Sequence, residues 1–173
     1  MSKADARSTT DVFELARVRG IVEGRLAFDA ARRLRTSLRD AAGAIDYRLD
    51  GFIDERGRPA ARLQLRGDLP LTCDHCGRAM NLQLDHEATF YLLRDESELA
   101  ALPVVADEEV EPLLGSTAFD VSALVEDEAI LCIPVSPRHA ECAMSAEAQE
   151  SSTSETRTNP FAKLPGLLRK NGR

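Results

Sequence analysis

The sequence has few aromatic residues and no long apolar run, and each shortage excludes a class of protein. Its 173 residues include 6 Phe, 2 Tyr and no Trp, so the core of a single domain must be aliphatic. No apolar run approaches the roughly 20 residues that a membrane-spanning helix requires. The start of the chain also carries no apolar segment of the secretory type. We therefore expect a cytoplasmic protein with reduced cysteines and no membrane partner.

Sequence motifs of catalysis are missing as well. No Gly-rich phosphate loop follows a candidate strand, and no G-x-S-x-G nucleophile motif occurs. The neighbouring carboxylates of Glu126, Asp127 and Glu128 fall in a predicted helix, where consecutive side chains point in different directions. We interpret them as an exposed face. The sequence therefore favours a protein that is not an enzyme and has no small-molecule substrate.

Charges of opposite sign are segregated along the chain, whose net charge is −7. Residues 1–66 carry 14 basic and 10 acidic side chains, whereas residues 67–157 carry 4 and 19. Residues 158–173 carry 4 basic side chains and no acidic one. The acidic block would repel nucleic acid and suits a basic protein partner. A merely solvated acidic surface is the other interpretation.

Two short Cys/His stretches point to a structural zinc site. A tight Cys-x-x-Cys turn directs two thiolates at one centre, and Cys3His is a common ligand set for tetrahedral zinc. A purely structural thiol pair and a redox-active pair are the alternatives. Against the redox reading, an alternating strand-like pattern follows the first stretch, where a thioredoxin-like site would open a helix. The candidate ligands are Cys73, Cys76, His139 and Cys142.

Neighbouring residues refine this prediction. Gly77 can adopt the positive φ that a metal-binding turn needs. Cys132 lies within an apolar run and is predicted to be a core residue, because a free cysteine is buried like a small hydrophobe. His75 and His86 are expected to be solvated.

The apolar periodicity predicts an α+β fold with an antiparallel meander packed against two main helices. Alternation predicts strands over residues 44–53 and 60–69, and a third strand follows the first cysteine pair. Asp29 can cap a helix that runs to Ala42, and Asp120 can cap the second. Residues 12–28 read as strand and connection.

The composition changes near both ends of the chain. We predict a flexible N-terminus over residues 1–11 and one globular α+β domain over residues 12–144. Residues 145–173 read as a polar linker followed by a basic tail peptide, disordered because the linker lacks apolar content. Whether the tail docks or is simply a frayed end stays open.

Two groups of residues are candidates for contacts with a partner. The first group is a basic helix surface that could touch phosphate, although such surfaces are usually just solvated; its members are Arg32, Arg33, Arg35 and Arg39. The second group gives the tail an apolar character typical of a docking peptide, and its members are Phe161 and Leu164.

Several stretches together resemble a known family, the YceD or large ribosomal RNA subunit accumulation proteins of bacteria and plastids. The resemblance covers roughly residues 45–165, and an acidic helix followed by Pro-x-x-Pro-x-His is its most specific part. The stretches that carry it are Leu71-Thr72-Cys73-Asp74-His75-Cys76, residues 119–128, Leu131-Cys132-Ile133-Pro134-Val135-Ser136-Pro137-Arg138-His139, Cys142 and Asn159-Pro160-Phe161-Ala162.

The resemblance implies a role in the synthesis, processing or stability of 23S ribosomal RNA, and it brings no catalytic residues. The expected partner is a large-subunit ribosomal precursor or a ribosomal protein, with any direct rRNA contact weak because the pI is about 5.0. A zinc-clipped protein-interaction module without a ribosomal role is the alternative.

Overall fold

The structure, a computed structural model, describes residues 9–101 and 110–142. The side chains of residues 100 and 101 are not described. The elements in chain order are β1 (Thr9–Thr10), α1 (Val12–Val18), β2 (Ile21–Ala27), α2 (Arg32–Arg35), β3 (Ala44–Ile53), β4 (Pro59–Thr72), β5 (Ala79–Leu93), α3 (Glu96–Ala101), β6 (Val110–Leu114), β7 (Phe119–Asp120) and α4 (Val121–Leu131).

Five strands form one mixed sheet in the order β2-β3-β4-β5-β6. The first four are antiparallel neighbours, which confirms the predicted meander, whereas β6 lies parallel to β5. The expectation of a purely antiparallel sheet was therefore wrong at this edge. A parallel neighbour requires a long crossover connection, and the chain from residue 94 to residue 109 supplies it. A separate two-stranded pair joins β1 to β7.

The core is aliphatic, as the shortage of aromatic residues predicted. Inward positions of β4 alternate with exposed ones, so Leu63, Leu65, Leu69 and Leu71 are all buried. Helix α1 contacts β3 and β4, and α4 contacts β4, so both helices contribute to the same buried cluster. The sequence prediction of an α+β fold is therefore confirmed.

The first helix is a correction to the sequence reading of residues 12–28 as strand and connection. Asp11 caps α1, because its carboxylate accepts hydrogen bonds from the N–H groups of Phe13 and Glu14, both at 3.0 Å. The helix ends at Arg19, whose left-handed backbone (φ 53°) turns the chain into β2. A seven-residue helix offers too few turns for an apolar period to stand out.

The helix predicted from Asp29 to Ala42 is much shorter than expected, since only Arg32–Arg35 is α-helical. Beyond it the N–H groups of residues 36, 37 and 38 bond to carbonyls three residues back, as in a tightening 3₁₀ turn. The Thr36 hydroxyl donates to the carbonyl of Arg33 at 2.7 Å and competes with helix continuation. The N–H of Arg39 then bonds to the carbonyl of Pro70 on β4 at 2.8 Å.

The second predicted helix is confirmed as α4. Asp120 caps it as expected, by accepting a hydrogen bond from the N–H of Ala123 at 3.0 Å. The helix ends at Leu131, before the predicted stop at Pro134. Among the described residues, no helix is both long enough and apolar enough to cross a membrane.

Replacing Gly51 with alanine should strongly destabilise the fold. A Cβ atom at this position of β3 would lie 2.5 Å from the carbonyl carbon and oxygen of Leu15, so α1 would have to move off the sheet. We expect a loss of about 3 kcal/mol in the free energy of unfolding, measured by urea denaturation. Gly57→Ala is the control, because Gly57 has open space around it and only its positive φ of 80° resists a side chain, at about 1 kcal/mol. Equal losses would contradict the close packing of α1.

Candidate functional site

The first cysteine pair lies in the tight turn between β4 and β5. The N–H of Cys73 bonds to the carbonyl of Arg78 at 2.9 Å, and the N–H of Gly77 bonds back to the carbonyl of Cys73 at 2.8 Å. Gly77 has φ 70°, which confirms the predicted left-handed residue. The side chain of Cys73 is buried and that of Cys76 is half-buried, so both thiols are partly screened from water.

The second pair is His139 and Cys142. His139 comes directly before a helical turn over residues 140–142, and Cys142 lies in that turn. The sulfur of Cys142 is 3.9 Å from Nδ1 of His139, and Cys142 is 8% exposed. Just before this pair, the carbonyl of Pro137 accepts a hydrogen bond from the N–H of Asp74 at 2.9 Å. The chain that leads to His139 is therefore tied directly to the first turn.

The ligand atoms of Cys73, Cys76, His139 and Cys142 all lie within 4.8 Å of one another. Tetrahedral zinc, with zinc–sulfur bonds of about 2.3 Å, places ligand sulfurs about 3.8 Å apart, so the group needs only a small contraction. Three thiols and one imidazole are also the donor types that zinc prefers. This Cys3His group could therefore hold a metal ion.

Cys132 is outside that group, as the sequence predicted. It follows the last residue of α4 and packs half-buried against the core. Burial and the carboxylate of Glu128 both raise the pKa of its thiol. Cys132 is therefore a protonated packing residue and a natural control in experiments on the other three cysteines.

The four candidate arginines differ in their partners. Arg33 turns toward α4, where its guanidinium pairs with Glu126 at 3.2 Å and also with Asp127. Arg32, Arg35 and Arg39 are exposed. One of the four arginines is therefore engaged by carboxylates of α4, although its side chain stays half exposed.

Glu126 is the residue that fixes α2 to α4. Ala31, at the start of α2, has no side chain that can cap the helix, and the carboxylate of Glu126 accepts the N–H groups of Arg33 and Leu34 instead, the latter at 3.0 Å. The same carboxylate accepts the guanidinium of Arg33. Because this capping carboxylate comes from a residue 93 positions away, the sequence around α2 does not predict it.

The acidic stretch was interpreted as an exposed face, and this interpretation was wrong for two of its three members. Glu128 is only 7% exposed, and its carboxylate lies 3.2 Å from Nε2 of His86 on β5. The side chain of Glu126 is 12% exposed, whereas Asp127 is half exposed. His86 is accordingly a half-buried partner of α4, where a solvated residue was expected.

The remaining interaction candidates, Phe161 and Leu164, lie outside the described residues, as does the rest of the predicted linker and tail. Their docking role stays a prediction.

Purified full-length protein should contain one zinc ion per chain, because four suitable ligand atoms already lie together. Cys73→Ser should lose most of the metal, measured by elemental mass spectrometry, and chelator should lower the melting temperature of the wild type. Cys132→Ser, with the same chemical change outside the group, should keep its zinc. Equal zinc contents in the two variants would rule out the four-ligand site.

Glu126→Ala should destabilise the fold by about 1–2 kcal/mol, because α2 loses its cap and Arg33 loses a partner. Asp127→Ala removes only an exposed ion pair with the same arginine and should cost at most about 0.5 kcal/mol. Thermal or urea unfolding of the two variants gives the comparison. If both substitutions cost the same, the capping role of Glu126 is refuted.

Two comparisons with known proteins identify the family of this chain. A model of the family described as "Large ribosomal RNA subunit accumulation protein YceD" matches residues 61–168. A relative of the same name from Haemophilus influenzae is 25% identical over 178 aligned positions, which cover 98% of this chain and all of the relative. No solved structure gives a significant match. Because the family match spans more than half of its length, the chain belongs to the YceD family.

Proposed function

We propose that this chain is a non-catalytic ribosome biogenesis factor needed for the synthesis, processing or stability of 23S ribosomal RNA. The observation that carries the proposal is family membership over residues 61–168, together with a relative of nearly equal length whose name refers to large-subunit rRNA accumulation. On this proposal the protein works in the cytoplasm, on a large-subunit ribosomal precursor or one of its proteins.

A role through contacts fits the chemistry of the described side chains better than a reaction does. Cys132 lies in the field of Glu128, and its raised pKa keeps the thiol protonated, whereas a nucleophilic cysteine needs a lowered pKa. The imidazole of His86 is turned to the buried Glu128 and serves to hold α4 on the sheet. The three other cysteines belong to the Cys3His group.

The Cys3His group has a structural role on this proposal. Four protein ligands occupy all the coordination positions of a tetrahedral zinc ion and leave none open for a substrate or water. Such closed sites stabilise the fold and do not catalyse a reaction. Cys73 and Cys76 would hold the metal from the β4–β5 turn, and His139 and Cys142 would complete it. A zinc ion would thus secure the chain that follows α4.

The alternative, a zinc-clipped interaction module without a ribosomal role, is supported by two exposed apolar side chains at and just beyond the end of α4. Leu131 is 74% exposed and Val135 is fully exposed, which is unusual for two large apolar side chains so close together. Exposed apolar side chains of this size suit a protein partner of any kind. Only a measurement of ribosomal RNA separates the two functions.

Deleting the gene in its own organism should lower mature large-subunit rRNA relative to small-subunit rRNA, with precursor particles accumulating in a sucrose gradient. A plasmid carrying the wild type or Cys132→Ser should restore the ratio, and a Cys73→Ser/Cys76→Ser plasmid should not. Protein levels are measured in each strain so that lost function is separated from lost protein. An unchanged rRNA ratio in the deletion strain would contradict the ribosomal role and leave the alternative.

A further inference from the structure

The outward face of the sheet neutralises its own charges. Arg25, Asp46, Arg66 and Asp85 occupy directly paired positions across β2, β3, β4 and β5, so their charges alternate in one row. Arg25 and Asp46 are 3.7 Å apart, and Arg66 and Asp85 are 3.4 Å apart. A phosphate group that approached this face would have to compete with a carboxylate at each arginine.

Two further rows of this face have the same property. Arg48 pairs with Glu23 and with Asp50, the latter at 2.8 Å, and Arg62 lies 3.4 Å from Glu87. The arginines of this face are therefore already paired, and the sheet is a poor surface for a polyanion.

The segment from Arg32 to Arg39 behaves differently. Arg32, Arg35 and Arg39 are exposed, and none of their guanidinium groups has a hydrogen-bond or ion-pair partner among residues 9–101 and 110–142. Asp29 and Asp40 flank the segment, but Asp40 accepts the N–H of Ala42. Three cations within eight residues are thus available to an incoming anion.

The fold holds these three arginines in place. Leu34 is fully buried, so the side chains of Arg32 and Arg35, three residues apart, lie on the solvent side of the turn. The bond from the N–H of Arg39 to the carbonyl of Pro70 ends the segment on β4. At its other end Glu126 fixes the first turn. A rigid backbone lowers the entropy cost of binding an extended ligand.

A groove of about 410 Å³ continues from this segment. Arg39 borders it together with the hydroxyl-bearing residues Thr36, Ser37 and Thr72, and the exposed Val135 forms part of the opposite wall. Its volume falls within the range of small-ligand sites, roughly 300–1,000 Å³. The described lining offers hydroxyl groups, apolar surface and one cation, Arg39, and it also contains the carboxylate of Asp74. Hydrogen-bond donors and an acceptor beside apolar surface suit a nucleotide base, while the phosphates lie along the arginine segment.

We infer that the segment Arg32–Arg39 binds the phosphodiester backbone of single-stranded RNA, with the adjoining groove receiving an unpaired base. The choice of RNA as the polyanion rests on the proposed function. Arg32, Arg35 and Arg39 supply the phosphate contacts, and Arg33 supplies none because Glu126 and Asp127 hold it. None of the described residues that line the groove is aromatic, so binding depends mainly on charge and is sensitive to salt.

The test uses the full chain and a fluorescein-labelled 20-nucleotide oligouridylate, followed by anisotropy. Three phosphate contacts on a single strand predict a slope of about −2 for log affinity against log salt, or about 20-fold weaker binding at 200 mM than at 50 mM KCl. Arg32→Gln/Arg35→Gln/Arg39→Gln should weaken binding at 50 mM by at least about tenfold and flatten the slope. The corresponding triple lysine variant should stay within about threefold of the wild type.

The matched control is Arg25→Gln/Arg62→Gln/Arg66→Gln, which removes the same charge from the neutralised sheet and should change affinity less than about threefold. Circular dichroism confirms that each variant is folded. Equal losses in both glutamine triples, or no salt-dependent binding by the wild type, would overturn the inference. An rRNA defect on gene deletion together with absent RNA binding would leave the proposed function standing and this surface rejected.

Discussion

The hydrogen bond from the N–H of Asp74 to the carbonyl of Pro137 is the contact on which the candidate metal site depends. It joins the tip of the longest hairpin in the sheet to the chain that leaves α4. His139 is two residues further on, and because consecutive Cα atoms are about 3.8 Å apart, it cannot lie far from the cysteine turn. Cys73 and His139 are 66 residues apart in sequence, as are Cys76 and Cys142. The main-chain bond from Asp74 to Pro137 is consistent with the short distances between their four ligand atoms.

A second long-range constraint explains the segregation of charge along the chain. Carboxylates of the acidic block neutralise arginines of the basic first third, as in Arg33 with Glu126, Arg62 with Glu87 and Arg66 with Asp85. Part of the asymmetry that suggests an external basic partner is therefore satisfied within the fold. Within the described residues, the side chains of Arg32, Arg35 and Arg39 have no such partner, and they lie together in the short segment whose first turn Glu126 caps.

The sequence was most informative where the signal is local. The meander, the capped helix at Asp120 and the glycine turn after Cys76 each follow from nearby residues, and the structure confirms them. The errors came from interactions that no local pattern encodes. The helix after Asp29 is cut short because the Thr36 hydroxyl bonds to the carbonyl of Arg33 and the N–H of Arg39 bonds to β4. Glu128 is buried because His86, on a distant strand, offers its carboxylate a partner. The structure groups Cys73, Cys76, His139 and Cys142, and the sequence could single them out because their chemistry and paired spacing are themselves a pattern.

X-ray absorption at the zinc edge tests the metal site most directly, because it reports the ligand atoms and their distances without a mutation. For the purified, zinc-loaded full chain, we predict three sulfur atoms at about 2.3 Å and one nitrogen atom at about 2.0–2.1 Å. That ligand shell requires cysteines from both sequence stretches, since Cys73 and Cys76 alone supply only two sulfurs. A shell of two or fewer sulfurs completed by oxygen or nitrogen would contradict the account.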